Sequence, residues 1–181
     1  PRYHQMDVVR QLIGDVREHG PGKNYLVQHS AGSGKSNSIA WTAYRLASLH
    51  NDENRPIFNS VVIVTDRTVL DAQLQETISG FDHTLGSVVT IDKKKSAKDL
   101  RDALNDGKRI IVTTLQKFPV IYEQIDDTSG KAFAVIVDEA REARRDRVGR
   151  AEPPAARAAS IICLSIIIAS EAVCVVFRFL C

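Results

Sequence analysis

Apolar residues recur along this chain in two rhythms that alternate from one end to the other. Met6, Val9, Leu12, Ile13 and Val16 fall on one face of a helix, which Gly20-Pro21-Gly22 ends. Residues 24–27 then read as a strand and residues 39–46 as a second helix. After a polar break at 51–56, Ser60-Val61-Val62-Ile63-Val64 is short, β-branched and continuous, the mark of a parallel strand buried on both faces. Val69, Leu70, Leu74 and Ile78 return to helical spacing and stop near Gly80. Residues 88–91 predict a third strand, and Ser96 with Asp99 resembles a helix-start cap for residues 99–105, which Gly107 closes. Residues 109–113 predict a fourth strand leading into a short helix, and residues 133–137 a fifth, ending in Asp138-Glu139-Ala140. Strands alternating with helices in this way predict a three-layer α/β fold around a parallel sheet.

Ligands of such sheets sit outside the carboxyl ends of the strands. Four polar clusters fall at those ends: residues 28–36, Thr65-Asp66-Arg67, Thr113-Thr114 and Asp138-Glu139. The first is the most informative. In Gln28-His29-Ser30-Ala31-Gly32-Ser33-Gly34-Lys35-Ser36, a glycine loop joins a strand to a helix. Gly32 and Gly34 let the backbone bring N–H groups close to an anion, and the helix that follows aims its positive end at the same place. Lys35 is then placed to reach the β- and γ-phosphates of a nucleotide, and the Ser36 hydroxyl to ligate Mg²⁺. The strict glycine–lysine pattern has Gly where this chain has His29.

A hydrophobic strand ending in two carboxylates complements that loop. Asp138 would hold the Mg²⁺ that bridges the phosphates, and Glu139 would orient and deprotonate the attacking water. Upstream, the amide of Gln5 offers a donor and an acceptor together and can read adenine; a solvated helix-start Gln is the alternative.

Composition adds bounds rather than direction. The 181 residues, 44% hydrophobic and 25% charged, are those of an ordinary globular domain. A net charge of +2 is too small to argue for nucleic acid by itself. Cys163, Cys174 and Cys181 lack C-x-x-C spacing, and the five histidines lack ligand spacing, so neither a metal centre nor a disulfide framework is indicated. No apolar signal segment opens the sequence, which makes the cytoplasm the expected compartment.

Taken together, residues 29–36, 64–67 with Leu70-Asp71 and Gln73-Leu74, 113–118 and 135–140 resemble the superfamily 2 helicase-like motors. Within them they resemble the motor part of the R subunit of type I restriction–modification enzymes, and Arg2-Tyr3-His4-Gln5 looks like the start of that region. The resemblance covers residues 1–140 and implies a P-loop NTPase domain of the RecA-like kind, the first of two. It implies an ATP-driven DNA translocase belonging to a site-specific deoxyribonuclease, with ATP and Mg²⁺ as cofactors. Gln5 would contact adenine, while Gly32, Ser33, Gly34, Lys35 and Ser36 hold the phosphates. Ser36 and Asp138 would serve the metal, with Glu139 and Lys35 catalytic. Thr65, Arg67, Thr114 and Lys117 would face the backbone of double-stranded DNA without reading its sequence. The implied partners are the modification and specificity subunits of a restriction complex, with no membrane.

The family has a nuclease domain before the motor and a second RecA-like domain after it, and neither is expected in these 181 residues. The isolated chain is therefore expected to be inactive as a nuclease and weak as an ATPase. Arg141 stands where the family has His. From there the composition changes: residues 141–157 are rich in Arg, Ala and Pro, and residues 158–181 are apolar, broken by Glu171 and Arg178. This 141–181 tail carries no resemblance and suggests a frameshift or gene truncation. Its uncharged run, residues 158–170, falls short of the roughly 20 residues a membrane span needs. Continuing through Glu171 would cost about 2.5–3.5 kcal/mol. Residues 161–168 are instead expected to insert as a strand beside the glycine-loop strand. Two other readings are a free-standing P-loop NTPase or nucleotide switch of another class, and a non-enzymatic remnant.

Overall fold

The computed structural model describes residues 2–30, 33–65, 76–78, 80, 88–91, 97–114, 131–138 and 172–180. In chain order the elements are α1 (Tyr3–His19), β1 (Asn24–Ser30), α2 (Lys35–Ala47), β2 (Ser60–Thr65), β3 (Val88–Thr90), α3 (Ala97–Asn105), β4 (Ile110–Thr114), β5 (Phe133–Asp138) and β6 (Ala172–Leu180). The six strands form one sheet in the order β1-β6-β5-β2-β4-β3, and every neighbouring pair is parallel. The fold is α/β, as the alternating pattern predicts.

Continuous β-branched runs become central strands because both their faces are covered. Val61, Ile63, Ile110, Val112, Ala134 and Ile136 share one buried cluster with Leu12 and Val16 of α1 and Ile39, Ala40, Ala43 and Leu46 of α2. Alternation along a strand sends Val62, Val64, Ile111, Val135 and Val137 to the opposite face. These are buried as well, at 2% exposure or less.

Helix α1 buries Gln5, Val9, Leu12 and Val16, whereas Met6 is 45% exposed. The expected apolar face is therefore rotated by one position at its first turn. Gln5 is inside because α1 packs against α2 near the glycine loop, whose carbonyls give its amide partners. Two further bonds tie the layers together. The Tyr44 hydroxyl of α2 donates to the Ile78 carbonyl at 2.6 Å, and the Ala132 N–H donates to Asn59 Oδ1 at 2.9 Å, pinning the start of β5 to the approach to β2.

The strand between β1 and β5 corrects one expectation. That slot is filled by β6, residues 172–180, and not by residues 161–168, which lie outside the described residues. Both runs are apolar enough for a buried parallel strand, so hydrophobicity does not choose between them. The two neighbours of β6 are staggered, with Ala172 level with Phe133 of β5 and Leu180 level with Ser30 of β1, and its nine residues span both.

Candidate functional site

The parallel register brings the strand ends onto one rim. Thr65 is level with Thr114 on one side and with Asp138 on the other, and Asp138 is level with Phe177 of β6. Strand β1 ends at Ser30, and the chain then reaches the first turn of α2 through residues 31–34.

Gly34 caps α2 in the left-handed region, with φ 81° and ψ 41°. Its carbonyl accepts the first helical N–H groups, from Asn37 at 3.1 Å and Ser38 at 3.4 Å. A Cβ at this position would run into the Gln5 side-chain amide, so glycine is required by space as well as by dihedral.

Lys35, the first residue of α2, is 6% exposed. Its Nζ lies 2.7 Å from Asp138 Oδ1, and the two side chains are 5% and 14% exposed. A buried ammonium is costly without a counter-charge, and the positive end of α2 adds to the local demand for an anion. Asp138, delivered by β5, meets that demand. Ser36, one residue on, is half-buried at the same helix start.

Gln5 is 3% exposed and is not a solvated helix-start residue. Its Nε2 donates to the Ser33 and Gly34 carbonyls, each at 2.9 Å, and its Oε1 accepts the Arg2 N–H at 2.8 Å. His4 was not singled out by the sequence, yet its Nε2 donates to the same Ser33 carbonyl at 3.1 Å. The signal available was its place beside Gln5, at the end of α1 that meets the loop.

Thr65 and Thr114 stand at the rim but are buried, at 3% and 5% exposure. The hydroxyls of Thr65 and Thr113 find no hydrogen-bond partner among the described residues. Gly32, Arg67, Lys117 and Glu139 lie outside the described residues. So the structure brings together Gln5, Ser33, Gly34, Lys35, Ser36 and Asp138, with Thr65 and Thr114 on the adjacent strand ends.

This donor set suits a nucleotide with its magnesium ion. A positive-φ glycine, a buried lysine and a helix N-terminus favour phosphate oxygens, and a hydroxyl and a carboxylate are the hard oxygen ligands that Mg²⁺ prefers. The family model for the SWI2/SNF2 ATPase matches residues 4–162, from the first turn of α1 past the end of β5. The chain belongs to the SWI2/SNF2 ATPase family. The matched residues, Lys35 and Asp138 among them, are those of a SWI2/SNF2 ATPase, a helicase-like motor.

The type I restriction enzyme HindI endonuclease subunit of Haemophilus influenzae is 31% identical to this SWI2/SNF2 ATPase chain over 127 residues. That alignment takes in 67% of the chain and 12% of the subunit, so the chain spans about an eighth of its relative's length. The resemblance to the motor region of restriction R subunits is borne out.

At the opposite end of β1, away from the loop, the Tyr25 hydroxyl donates to Asp15 Oδ2 at 2.6 Å. Lys23 lies 3.4 Å and His19 3.2 Å from the same carboxylate. The Tyr25 hydrogen bond, ahead of Lys23 and His19, holds the Asp15 carboxyl below its usual range. Burial, with the hydrogen bond to Asp15, pushes the Tyr25 phenol above its ordinary value.

Among the described residues, no helix is long and apolar enough to cross a membrane.

Proposed function

We propose that this chain is the ATP-binding part of a motor that moves duplex DNA, within the R subunit of a type I restriction system. The observation that carries the reading is the buried pair of Lys35 and Asp138, 2.7 Å apart at the carboxyl rim of a parallel sheet. In this reading Lys35 and the loop residues Gly32, Ser33 and Gly34 hold the triphosphate, and Gln5 lies beside the adenine. Ser36 and Asp138 hold the magnesium ion, which neutralises charge on the β- and γ-phosphates when bound. Glu139 orients the water and takes its proton.

Lys35 has two tasks in this site. Without nucleotide it neutralises Asp138; with nucleotide bound, its ammonium would serve the phosphates and Asp138 would be among the residues that hold the metal. Stranding either buried charge is costly, so in this reading each takes a new partner as it gives up the other.

Thr65, Arg67, Thr114 and Lys117 are proposed to contact the DNA backbone. For Thr65 and Thr114, at 3% and 5% exposure, the rim has to open before a phosphate can reach them. The modification and specificity subunits are the proposed partners, and the cytoplasm the proposed location.

The test is nucleotide binding and turnover by the purified chain, with and without duplex DNA. Binding of ATP with Mg²⁺ is expected, without appreciable DNA-stimulated turnover. An arginine supplied across the cleft by a second domain contributes about 10³–10⁵ in rate in such enzymes. Strong turnover by the chain alone refutes the need for that second domain, and absence of nucleotide binding refutes the site.

A further inference from the structure

One carbonyl of the loop, Ser33 O, is held from outside helix α2. Gly34 O is fixed by the helix itself, through Asn37 and Ser38. Ser33 O precedes the helix and gains nothing from it. It is held instead by two side chains from the first turn of α1, Gln5 Nε2 at 2.9 Å and His4 Nε2 at 3.1 Å.

A peptide unit is planar and trans, so its C=O and the following N–H point in opposite directions. Fixing Ser33 O against α1 therefore fixes the Gly34 N–H pointing away from α1. That N–H donates to no described residue. It is left available at the loop, one residue before Lys35.

Glycine needs such an external hold more than other residues do. Gly34 has φ 81°, and without a Cβ its flanking peptide planes have more freedom to turn over. A flipped plane would present the Ser33 carbonyl, an acceptor, where a phosphate needs a donor. The Gln5 side chain is well placed to prevent this. It is itself locked, since its Oε1 accepts the Arg2 N–H in the first turn of α1 and its exposure is 3%.

We propose that Gln5, with His4, is a positioning residue that sets the peptide plane between Ser33 and Gly34 so that the Gly34 N–H faces the phosphate. This inference rests on the phosphate-site reading above and deepens it. It departs from that reading in one respect: the Gln5 amide acts on the triphosphate tail through the loop, whatever base the ligand carries. An adenine-reading Gln5 would act on ATP alone. Both of its amide hydrogens are engaged by loop carbonyls here, so direct base reading would require it to release the loop.

The experiment is calorimetric titration of the chain with ATP, GTP and inorganic tripolyphosphate, each with Mg²⁺. The variants are Gln5→Met, which keeps length and burial but has no donor, and His4→Ala, which removes the second donor from an exposed position. Gln5→Met is expected to weaken all three ligands by a similar factor, about five- to tenfold, the worth of one or two hydrogen bonds. His4→Ala is expected to weaken all three by a smaller common factor, and melting of each variant checks that it folds. If Gln5→Met does not fold, the His4→Ala series carries the decision by the same criterion.

A loss confined to ATP overturns the proposal in favour of base reading. Unchanged affinity for all three overturns it outright. A wild-type chain that binds none of the three removes the phosphate site itself, a failure distinct from either.

Discussion

Lys35 Nζ and Asp138 Oδ1 lie 2.7 Å apart, one from the first turn of α2 and the other from the last residue of β5, both shielded from water. Breaking one half of such a buried pair leaves an uncompensated charge, which costs about 3–5 kcal/mol. Lys35→Met and Asp138→Leu are each expected to destabilise the nucleotide-free chain by an amount of that order. The double variant is expected to be more stable than either single one, because no charge is stranded. Denaturant melts of the three variants check this, and strictly additive losses would mean that the two side chains do not act as a pair.

The same pair predicts how magnesium enters. Asp138→Asn frees Lys35 for phosphate at all times and weakens a metal ligand. The variant is therefore expected to bind metal-free ATP more tightly than wild type, by about tenfold for one charge-assisted bond regained. It is also expected to gain little further affinity when Mg²⁺ is added. Titrations with ATP in EDTA and in excess Mg²⁺ measure both arms. A variant that keeps the full magnesium enhancement would show that Asp138 is not a metal ligand.

Gly34 is a loop position with little latitude. A methyl there meets the Gln5 amide, and φ 81° disfavours any L side chain. Gly34→Ala is expected to melt about 1–3 kcal/mol less stably, the range for a strained backbone residue. It is also expected to lose triphosphate binding by a larger factor than Gln5→Met, since both the plane and its brace are disturbed. Gly14, whose Cβ would meet nothing, is the control, and Gly14→Ala is expected to leave binding unchanged.

The sheet and the loop were legible in the sequence because their patterns have one physical solution. A run such as residues 60–64 can only be buried on both faces, and a glycine–lysine loop between strand and helix has few other uses. The rotation of α1 was not legible. Residues 6, 9, 13 and 16 and residues 5, 9, 12 and 16 both fit helical spacing, and hydrophobicity favours Met6 over Gln5. What turns Gln5 inward is a pair of carbonyls nearly thirty residues away, a tertiary fact without local trace. The choice of β6 over residues 161–168 was hidden as well, because both runs are apolar enough for a buried parallel strand.

The cluster around Asp15 predicts a pH dependence unrelated to the nucleotide. A depressed carboxyl contributes stability that is present above its unfolded value of about 3.9 and is lost as pH falls through its lower folded value. A raised phenol contributes stability that is present below about 10 and is lost as pH rises further. Tyr25→Phe removes the hydrogen bond that lowers the carboxyl, and with it the phenol that burial raises first and the bond second. Its acid unfolding is expected to begin at higher pH than that of wild type, while its alkaline loss near pH 10–11 is reduced. Melting temperatures measured from pH 3 to pH 11 test the two limbs separately, and parallel curves for variant and wild type would show that the bond has no role in stability.

Strand β6 is what allows Lys35 and Asp138 to meet, since among the described residues it lies alone between the strand that leads into the loop and the one that ends in the carboxylate. Val175 sits mid-strand, level with Tyr25 of β1 and Ile136 of β5. Proline there removes an N–H and breaks a ladder that has a neighbour on both sides, a place where proline is essentially never found. Val175→Pro is expected to abolish triphosphate binding and cooperative unfolding together. Val175→Ala keeps every backbone donor and is expected to retain binding despite a lower melting temperature. If Val175→Pro still bound ATP with wild-type affinity, β6 could not be the central strand, and the geometry that joins Lys35 to Asp138 would need another source.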